Sequence, residues 1–595
     1  MIPPRPVLLP WVVAVLLSAP ACIEVPDITP VQGEARIRTP EGTAYTKGVL
    51  DIGLEVTGHR PDRVELLRDG EVLAVLESPY TYAWDTTGET EGEHRLRARV
   101  VFGETVFSGE ERVVVVDRTA PQVVSRAPEP GAQDVWVKSP IQAVFSEPMK
   151  VDTMTSASVR LTVGGVDVVR TVSLSGDGKT LTVVPGAGYA PSHPVQLVLT
   201  EQLVDLAGNS LTTESADWDW TIPFWIPWGT GDGALLSARD SSMKSHAFDA
   251  TGNLLAIWNL SDNGSHWLYV KRYENGEWKT YGQTHFASSN QGVFLDSSLI
   301  LDSAGNPIVA WTQPGSSSSS TVQVKRWTGT QWEPLGARVE VDAAMPQKAH
   351  PHLEWAPSGQ PAIAWSESDV IETTTVCAAE WVTSNWRPLG NCFDARGTSN
   401  YSTNPVLKYT RSKVPTIAWV AAGSPEHAVH VSQFVDNTWT VLDAEDHNIR
   451  INDPYVSLAL GPTDQPILTW LADTGSGNDC VATENWFDSY WALLGSPQLP
   501  PAGTITTTGP ALETDSTGTP FIAWTSTVTS TDSRLRTSRW TGLNWESLED
   551  ASFKVEGRVF TNQHTLQQTS TGELVLSWRQ LLLSEYRMRV RRLNR

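Results

Sequence analysis

Seven tryptophans recur at near-equal spacing along the C-terminal part of the chain. Trp258, Trp311, Trp365, Trp419, Trp470, Trp524 and Trp578 are separated by 53, 54, 54, 51, 54 and 54 residues. Each closes a short apolar run, such as Pro307-Ile-Val-Ala-Trp311 or Pro361-Ala-Ile-Ala-Trp365. A fixed period of about 50 residues marks a repeat architecture, in which each unit buries its apolar face only against its neighbours.

One repeat is legible between His352 and Cys392. His352–Trp355 reads as a first strand, Pro357-Ser-Gly359 as a turn and Pro361–Trp365 as a second strand. A polar segment follows, then a third strand from Thr375 to Trp381 and a fourth from Trp386 to Gly390. Four antiparallel strands repeated seven times describe a β-propeller. Third strands end in pairs such as Arg272-Tyr273, Arg326-Trp327 and Arg539-Trp540. Fourth strands begin at Trp278, Trp332, Trp386, Trp439, Trp491 and Trp545, one fewer than the third strands. The missing marker stands ahead of the first repeat. Trp225-Ile-Pro-Trp228-Gly229 matches the spacing of Trp332-Glu-Pro-Leu-Gly336. The expectation is a seven-bladed propeller over residues 224–595, closed by the segment 224–230. Such pairing would cover two strand edges.

This topology sorts the connections. Turns between first and second strands, and between third and fourth, share one edge and are formulaic, as in Asp302-Ser-Ala-Gly305 and Asp515-Ser-Thr-Gly518. Connections between second and third strands, and between repeats, share the other edge. Asn259–His266, Gln313–Ser320, Ser366–Thr374, Ala337–Pro351 and Ala444–Asp453 are expected there as longer, varied loops. Varied polar loops on a rigid scaffold are the usual place for binding.

The preceding residues are also all-β, with alternating runs punctuated by Gly and Pro. Residues 34–117 hold about seven short β-runs, which suits a sandwich. Val64–Gly70, Ser78-Pro79-Tyr80, Trp84–Thr87 and Gly92–Leu96 resemble a bacterial immunoglobulin-like module, with Tyr82 and Trp84 as core and Asp69-Gly70 as a hairpin turn. After the boundary at Asp117–Pro121, residues 118–223 resemble an SbsA-type bacterial Ig-like domain. The resemblance rests on Thr119-Ala-Pro121, Phe145–Met149, Asp205–Asn209 and Trp218–Thr221. It implies a spacer. Glu147, Asp205 and Asn209 could form a calcium cluster; the plainer reading is a turn at Asp205–Asn209 with Glu147 exposed.

The chain begins with Arg5, an apolar stretch from Val7 to Leu17, and Ala19-Pro20-Ala21 before Cys22. This stretch is shorter than the roughly 20 residues that cross a bilayer. It reads as an export signal over residues 1–21. Cys22 at the cleavage point resembles a bacterial lipoprotein signal, which implies a lipidated Cys22 and a tether at 22–33. Ordinary cleavage after Ala21 is the alternative. Export permits a disulfide, and Cys377 and Cys392 flank their intervening segment symmetrically, as cross-strand partners in a hairpin would. Cys480 is left over as a buried thiol. A formal net charge of −23 argues against nucleic acid as a partner.

Candidate chemistry is sparse. The regular tryptophans fit core, whereas Trp267 and Trp355 fall outside the repeat markers and are candidates for stacking on a ligand. His350 and His352 would share a strand face, but further metal ligands are wanting. His427 and His430 read as exposed loop and strand residues. The repeated Asp-x-x-Gly turn is similar to the Asp-box of sialidase-like propellers, yet the Ser-x-Asp-x-Gly-x-x-Trp run is absent. No phosphate-binding loop, His-Glu-x-x-His or nucleophile-elbow motif occurs. Arg587, Arg589, Arg591, Arg592 and Arg595 read as one solvated strand face. No catalytic residue, metal or cofactor is expected. The reading is a monomeric, exported lipoprotein of the cell envelope. Its propeller would recognise a protein or glycan, with the membrane reached through the lipid anchor alone. A lectin or glycoside hydrolase, and a structural envelope component, are the alternatives.

Overall fold

The computed structural model describes residues 33–595 except 188, 192, 214–215, 229–233, 237–241, 275–276, 283–284, 291–295, 316–318, 337–338, 340–346, 370–373, 395–403, 423–426, 443–455, 474–478, 488, 500–505, 530–531, 549–557, 570 and 583–584. The leader, Cys22 and most of the tether lie outside these residues. Apart from one 3-10 turn at Val151–Thr153, the described regular elements are strands. No helix among the described residues is long and apolar enough to cross a membrane.

The first unit packs a three-stranded sheet on a five-stranded one. Alternating residues such as Leu96, Ala98 and Val100 point into a shared core with Ile52, Leu66, Trp84 and Val114. Asp69 and Gly70 both have positive φ, 52° and 91°, as a two-residue hairpin turn requires. The second unit pairs two four-stranded sheets around Phe145, Leu161, Leu197 and Trp220. The Phe145–Met149 and Asp205–Asn209 motifs meet there, bridged at Met149 and Asp205.

Among the described residues from Trp225 onward, seven sheets hold rows of four antiparallel strands, consecutive in the chain in six of them. The first runs through Ser242–Phe248, Leu254–Asp262, Ser265–Glu274 and Glu277–Thr280. In the last, Arg558–Gln568, Leu574–Leu582 and Glu585–Leu593 are completed by Trp225–Pro227 from the other end of the array. Trp225 pairs with Leu593, and Pro227 with Arg591.

The tryptophan period has a packing cause. Trp311 joins the core that contains Leu255, Ile257 and Leu268 of the sheet before it, and Trp365, Trp419, Trp470, Trp524 and Trp578 repeat this relation. None of the seven is more than 4% exposed. The fourth-strand tryptophans add a second link. Trp386, Trp439, Trp491 and Trp545 donate their indole N–H to Leu335, Leu389, Leu442 and Leu494 of the preceding sheet, at 2.6–2.8 Å. A glycine with positive φ, such as Gly495 at 73°, follows Leu335, Leu389 and Leu494. A Cβ on Gly495 would lie 2.6 Å from Trp540.

The turn between first and second strands is the same in all seven sheets. In each, the first residue donates its N–H to the carbonyl four residues on, as in Asp249 to Asn253, Thr410 to Val414 and Thr569 to Glu573. Burial would raise the carboxyls of Asp249 and Asp515. Hydrogen bonds from turn residues, with Arg272 or Arg595 nearby, offset burial and hold both below the usual carboxylate range.

The opposite edge differs from expectation. Asn259–His266 is not a loop: the strands run on to Asp262 and Ser265, joined only by Asn263 and Gly264, both with positive φ. Gln313–Ser320 and Ser366–Thr374 are likewise mostly strand at their ends. The ladder is made by backbone groups, so polar side chains do not interrupt it. Ala444–Asp453 lies outside the described residues, as does most of Ala337–Pro351.

Candidate functional site

The innermost strands line a cavity of about 260 Å³, with His352, Lys408, Ser457, Glu513, His564 and Gln567 among its walls. Alternate residues of a first strand share a face, as His352 does with Glu354 and Thr565 with Gln567, whereas His564 shares its face with Leu566. Leu353 and Leu407 pack between sheets, and Leu512 and Leu566 join such cores while also reaching the cavity wall.

Lys408 is the charged centre of this region. Its ammonium stands 3.3 Å from Glu354 and 3.7 Å from Glu513. The carboxylates of Glu513 and then Glu354 push the Lys408 pKa up, so it stays an ammonium. These three residues precede the five-residue turns and therefore sit at the turn edge of the cavity. His352 and His564 are held neutral, with pKa values lowered to about 4 by burial. The Leu407 backbone N–H donates to His352 Nδ1 at 3.3 Å, and Ser457 donates its hydroxyl to the Pro510 carbonyl at 2.8 Å. Ser457 is thus bonded to backbone rather than to a histidine that would activate it. The arrangement holds charge and polarity rigidly. It does not form a nucleophile–base pair. Sequence reasoning missed this trio, although Glu354, Lys408 and Glu513 each stand eleven positions before a repeat tryptophan.

The sequence candidates are scattered. Trp267 is half-buried beside the Asn263-Gly264 turn, at the loop edge. Trp355 lies at the opposite, turn edge, where its indole donates to the Leu301 carbonyl at 3.0 Å. The two cannot form one stacking site. Cys377 and Cys392 are joined by a disulfide, and Cys480 is buried and in no disulfide. His350 and His352 do not share a strand face: a bulge separates Ala349 from His352, and His350 has φ 53° and meets Asp296 at 3.0 Å. His430 is buried and stacked on Trp419 at 5.3 Å, not exposed, because the cross-strand position opposite Trp419 lies between sheets. The His427 side chain lies outside the described set.

The joint between the two sandwiches gathers Asp117, Glu147 and Asp205, with carboxylate oxygens within 4.8 Å of one another. Glu147 is half-buried rather than exposed. Burial, then the Asp117 carboxyl, pushes its pKa to about 7. Asp205 and Asn209 do form the expected turn: the Asn209 backbone and amide both donate to the Asp205 carboxylate at 2.8 Å. Asn209 also donates to the Asp117 carbonyl at 3.0 Å, tying the two units together.

Within the basic C-terminal run Arg591 and Arg592 are not on a solvated face, while Arg595 is exposed and the Arg587 side chain lies outside the described set. Arg592 lies over Trp136 of the second sandwich at 4.7 Å and over Trp228 at 5.9 Å. Arg591 donates to the Trp225 carbonyl at 2.9 Å. Asn594 accepts from the Val137 N–H and donates to the Val135 and Pro223 carbonyls. The second sandwich is therefore fastened at the end of a third strand, on the turn edge of the sheets.

Residues 117–222 match the family model of a bacterial Ig-like domain. No curated protein matches the chain. Several solved structures share distant likeness. A protein of unknown function from Dyadobacter fermentans is 11% identical, covers 51% of this chain and 95% of its own, and has a TM-score of 0.32. A mutant of AofleA from Arthrobotrys oligospora gives 14%, 53%, 86% and 0.34. An Aleuria aurantia lectin gives 13%, 50%, 95% and 0.31. These likenesses are too remote to carry an argument about chemistry.

Proposed function

We propose that this chain is an exported, surface-held binding protein without enzymatic activity. Residues 34–117 and 118–223 serve as Ig-like spacers, and residues 224–595 form a seven-bladed propeller closed by the strand near Trp225. Cys22 carries a lipid anchor, and the loop edge recognises a protein or glycan. The observation that carries this reading is the attachment of the second sandwich to the turn edge through Trp136, Arg592 and Asn594. The opposite edge then faces away from the spacers. The Lys408 trio argues against a glycoside hydrolase. Such an enzyme needs one carboxyl held protonated as an acid, whereas here one ammonium serves both carboxylates.

The test uses the full mature chain on a glycan array and in pull-downs. Shortening the connection at 395–403, with Trp267→Ala, should abolish capture. Leu543→Ser, on the turn edge, should leave it intact. Capture that follows the turn-edge change and ignores the loop-edge changes would overturn the proposal. Palmitate labelling equal in wild type and Cys22→Ser would remove the anchor.

A further inference from the structure

A second cavity lies outside the loop edge. A cleft of about 550 Å³ separates the second sandwich from the sixth sheet and from Leu593–Arg595. This volume is within the range of small-molecule sites, and domain junctions are a common place for them. Phe224 and Leu593 contribute apolar surface. The polar lining is rich in donors. The Tyr189 hydroxyl accepts the Trp220 indole N–H at 3.3 Å, so its own proton is available to another group. Burial pushes the Tyr189 pKa up to about 12, which keeps that proton in place. Arg539 engages Glu546 through Nε and Nη2, leaving Nη1. Arg595 engages Asp515, which does not line the cleft, through Nη1 alone. Glu546 is the one side-chain carboxylate among the described lining residues, and Arg539 already occupies it.

We propose that this cleft binds a uronate unit of an acidic glycan. The carboxylate takes the remaining guanidinium N–H groups of Arg539 and Arg595 and the Tyr189 hydroxyl, while a C–H face of the ring lies on Phe224 and Leu593. Guanidinium and phenol donors favour an anion, because a carboxylate accepts at both oxygens, whereas each hydroxyl of an uncharged polyol also brings a proton that needs an acceptor. Apolar surface selects against a small, fully hydrated inorganic anion. This site is independent of ligand capture at the loop edge.

Calorimetric titration of the full chain with trigalacturonate and triglucuronate, against neutral galactotriose, tests the proposal. At least one uronate trimer should bind at least about 10-fold tighter than the neutral trimer, with affinity falling as salt rises. Tyr189→Phe keeps the ring and removes the donor, and should weaken uronate binding about 10-fold, the usual effect of one hydrogen bond to a charged group. Arg539→Gln should do the same. If Arg539→Gln fails to fold, Tyr189→Phe decides the matter. Trp267→Ala should leave uronate binding unchanged, which separates this site from the loop edge. Equal affinity for charged and neutral trimers, no binding of either uronate, or unchanged affinity in Tyr189→Phe would overturn it.

Discussion

The seam between the last sheet and the first differs from the other seams in chemistry as well as in chain connection. At four of the six ordinary seams a first-strand leucine packs with the alanine that precedes the neighbouring tryptophan, as Leu353 does with Ala310 and Leu407 with Ala364; Ile257 and Thr469 stand in the alanine's place at the other two. At the closing seam both partners change. His246 stands where the leucine would be and Ser577 where the alanine would be. His246 Nε2 lies 3.0 Å from the Ser577 hydroxyl and 2.9 Å from that of Thr565, and Gln567 donates to the His246 carbonyl at 3.1 Å. Adjacent sheets joined by a short connection find each other locally, and an apolar pair is sufficient. The closing seam joins segments more than 300 residues apart, and directional bonds there select one register that a leucine on alanine would not distinguish.

The largest way to break this contrast is at an ordinary seam. Trp419→Ala should destabilise the chain by about 3–5 kcal/mol in chemical denaturation. A loss under about 1 kcal/mol would mean that the repeat tryptophans do not carry the packing. Acid should act next most strongly, through histidines at inner-strand positions. Burial lowers the pKa of His246, His352 and His564 from 6.5 to about 4. The unfolded chain therefore takes up protons first, so their contribution is whole above pH 6.5 and is lost as the pH falls towards 4, by at most about 3 kcal/mol per residue. Melting temperature measured against pH in wild type and His246→Leu checks this: the variant should lose part of the slope.

At neutral pH His246→Leu should cost about 1–2 kcal/mol, because two buried hydroxyls lose a partner. Adding Ser577→Ala recreates the ordinary pair and should restore most of the loss. Additive losses in that double-mutant cycle would show that the closing bonds do not couple. The smallest effect is expected at the sandwich joint. Glu147 has its pKa raised from 4.5 to about 7, so its contribution is full below pH 4.5 and lost as the pH rises through 7. Glu147→Gln should stabilise the chain by about 1 kcal/mol at pH 8, after screening by solvent. No gain at pH 8 would remove the carboxylate repulsion from the account of that joint.

Much of the scaffold was readable because repetition samples the same environment several times. The Trp225 segment reads as a strand because its Trp-x-Pro spacing matches those of Trp332 and Trp386. Readings failed where a residue departs from its repeat or meets a partner distant in sequence. His430 was assigned to the surface because nothing local shows that it faces Trp419 from the next strand. The arginines near the C-terminus alternate as a solvated strand would, but Trp136 and Asp134 of another unit cover Arg592 and Arg591. The polar residues of Asn259–His266 read as a loop, but polarity does not end a ladder.

By itself the sequence determined the number of repeats, the strands within them and the pairing of Trp225–Pro227 with the end of the chain. Periodic burial writes those features into residue spacing. Only the tertiary structure decided which side chains meet across seams and joints: Lys408 with Glu354 and Glu513, His246 with Ser577, Glu147 with Asp117, Arg592 with Trp136. Each of these contacts joins positions remote in sequence, and a single sequence carries no periodic signal for a pairing that happens once.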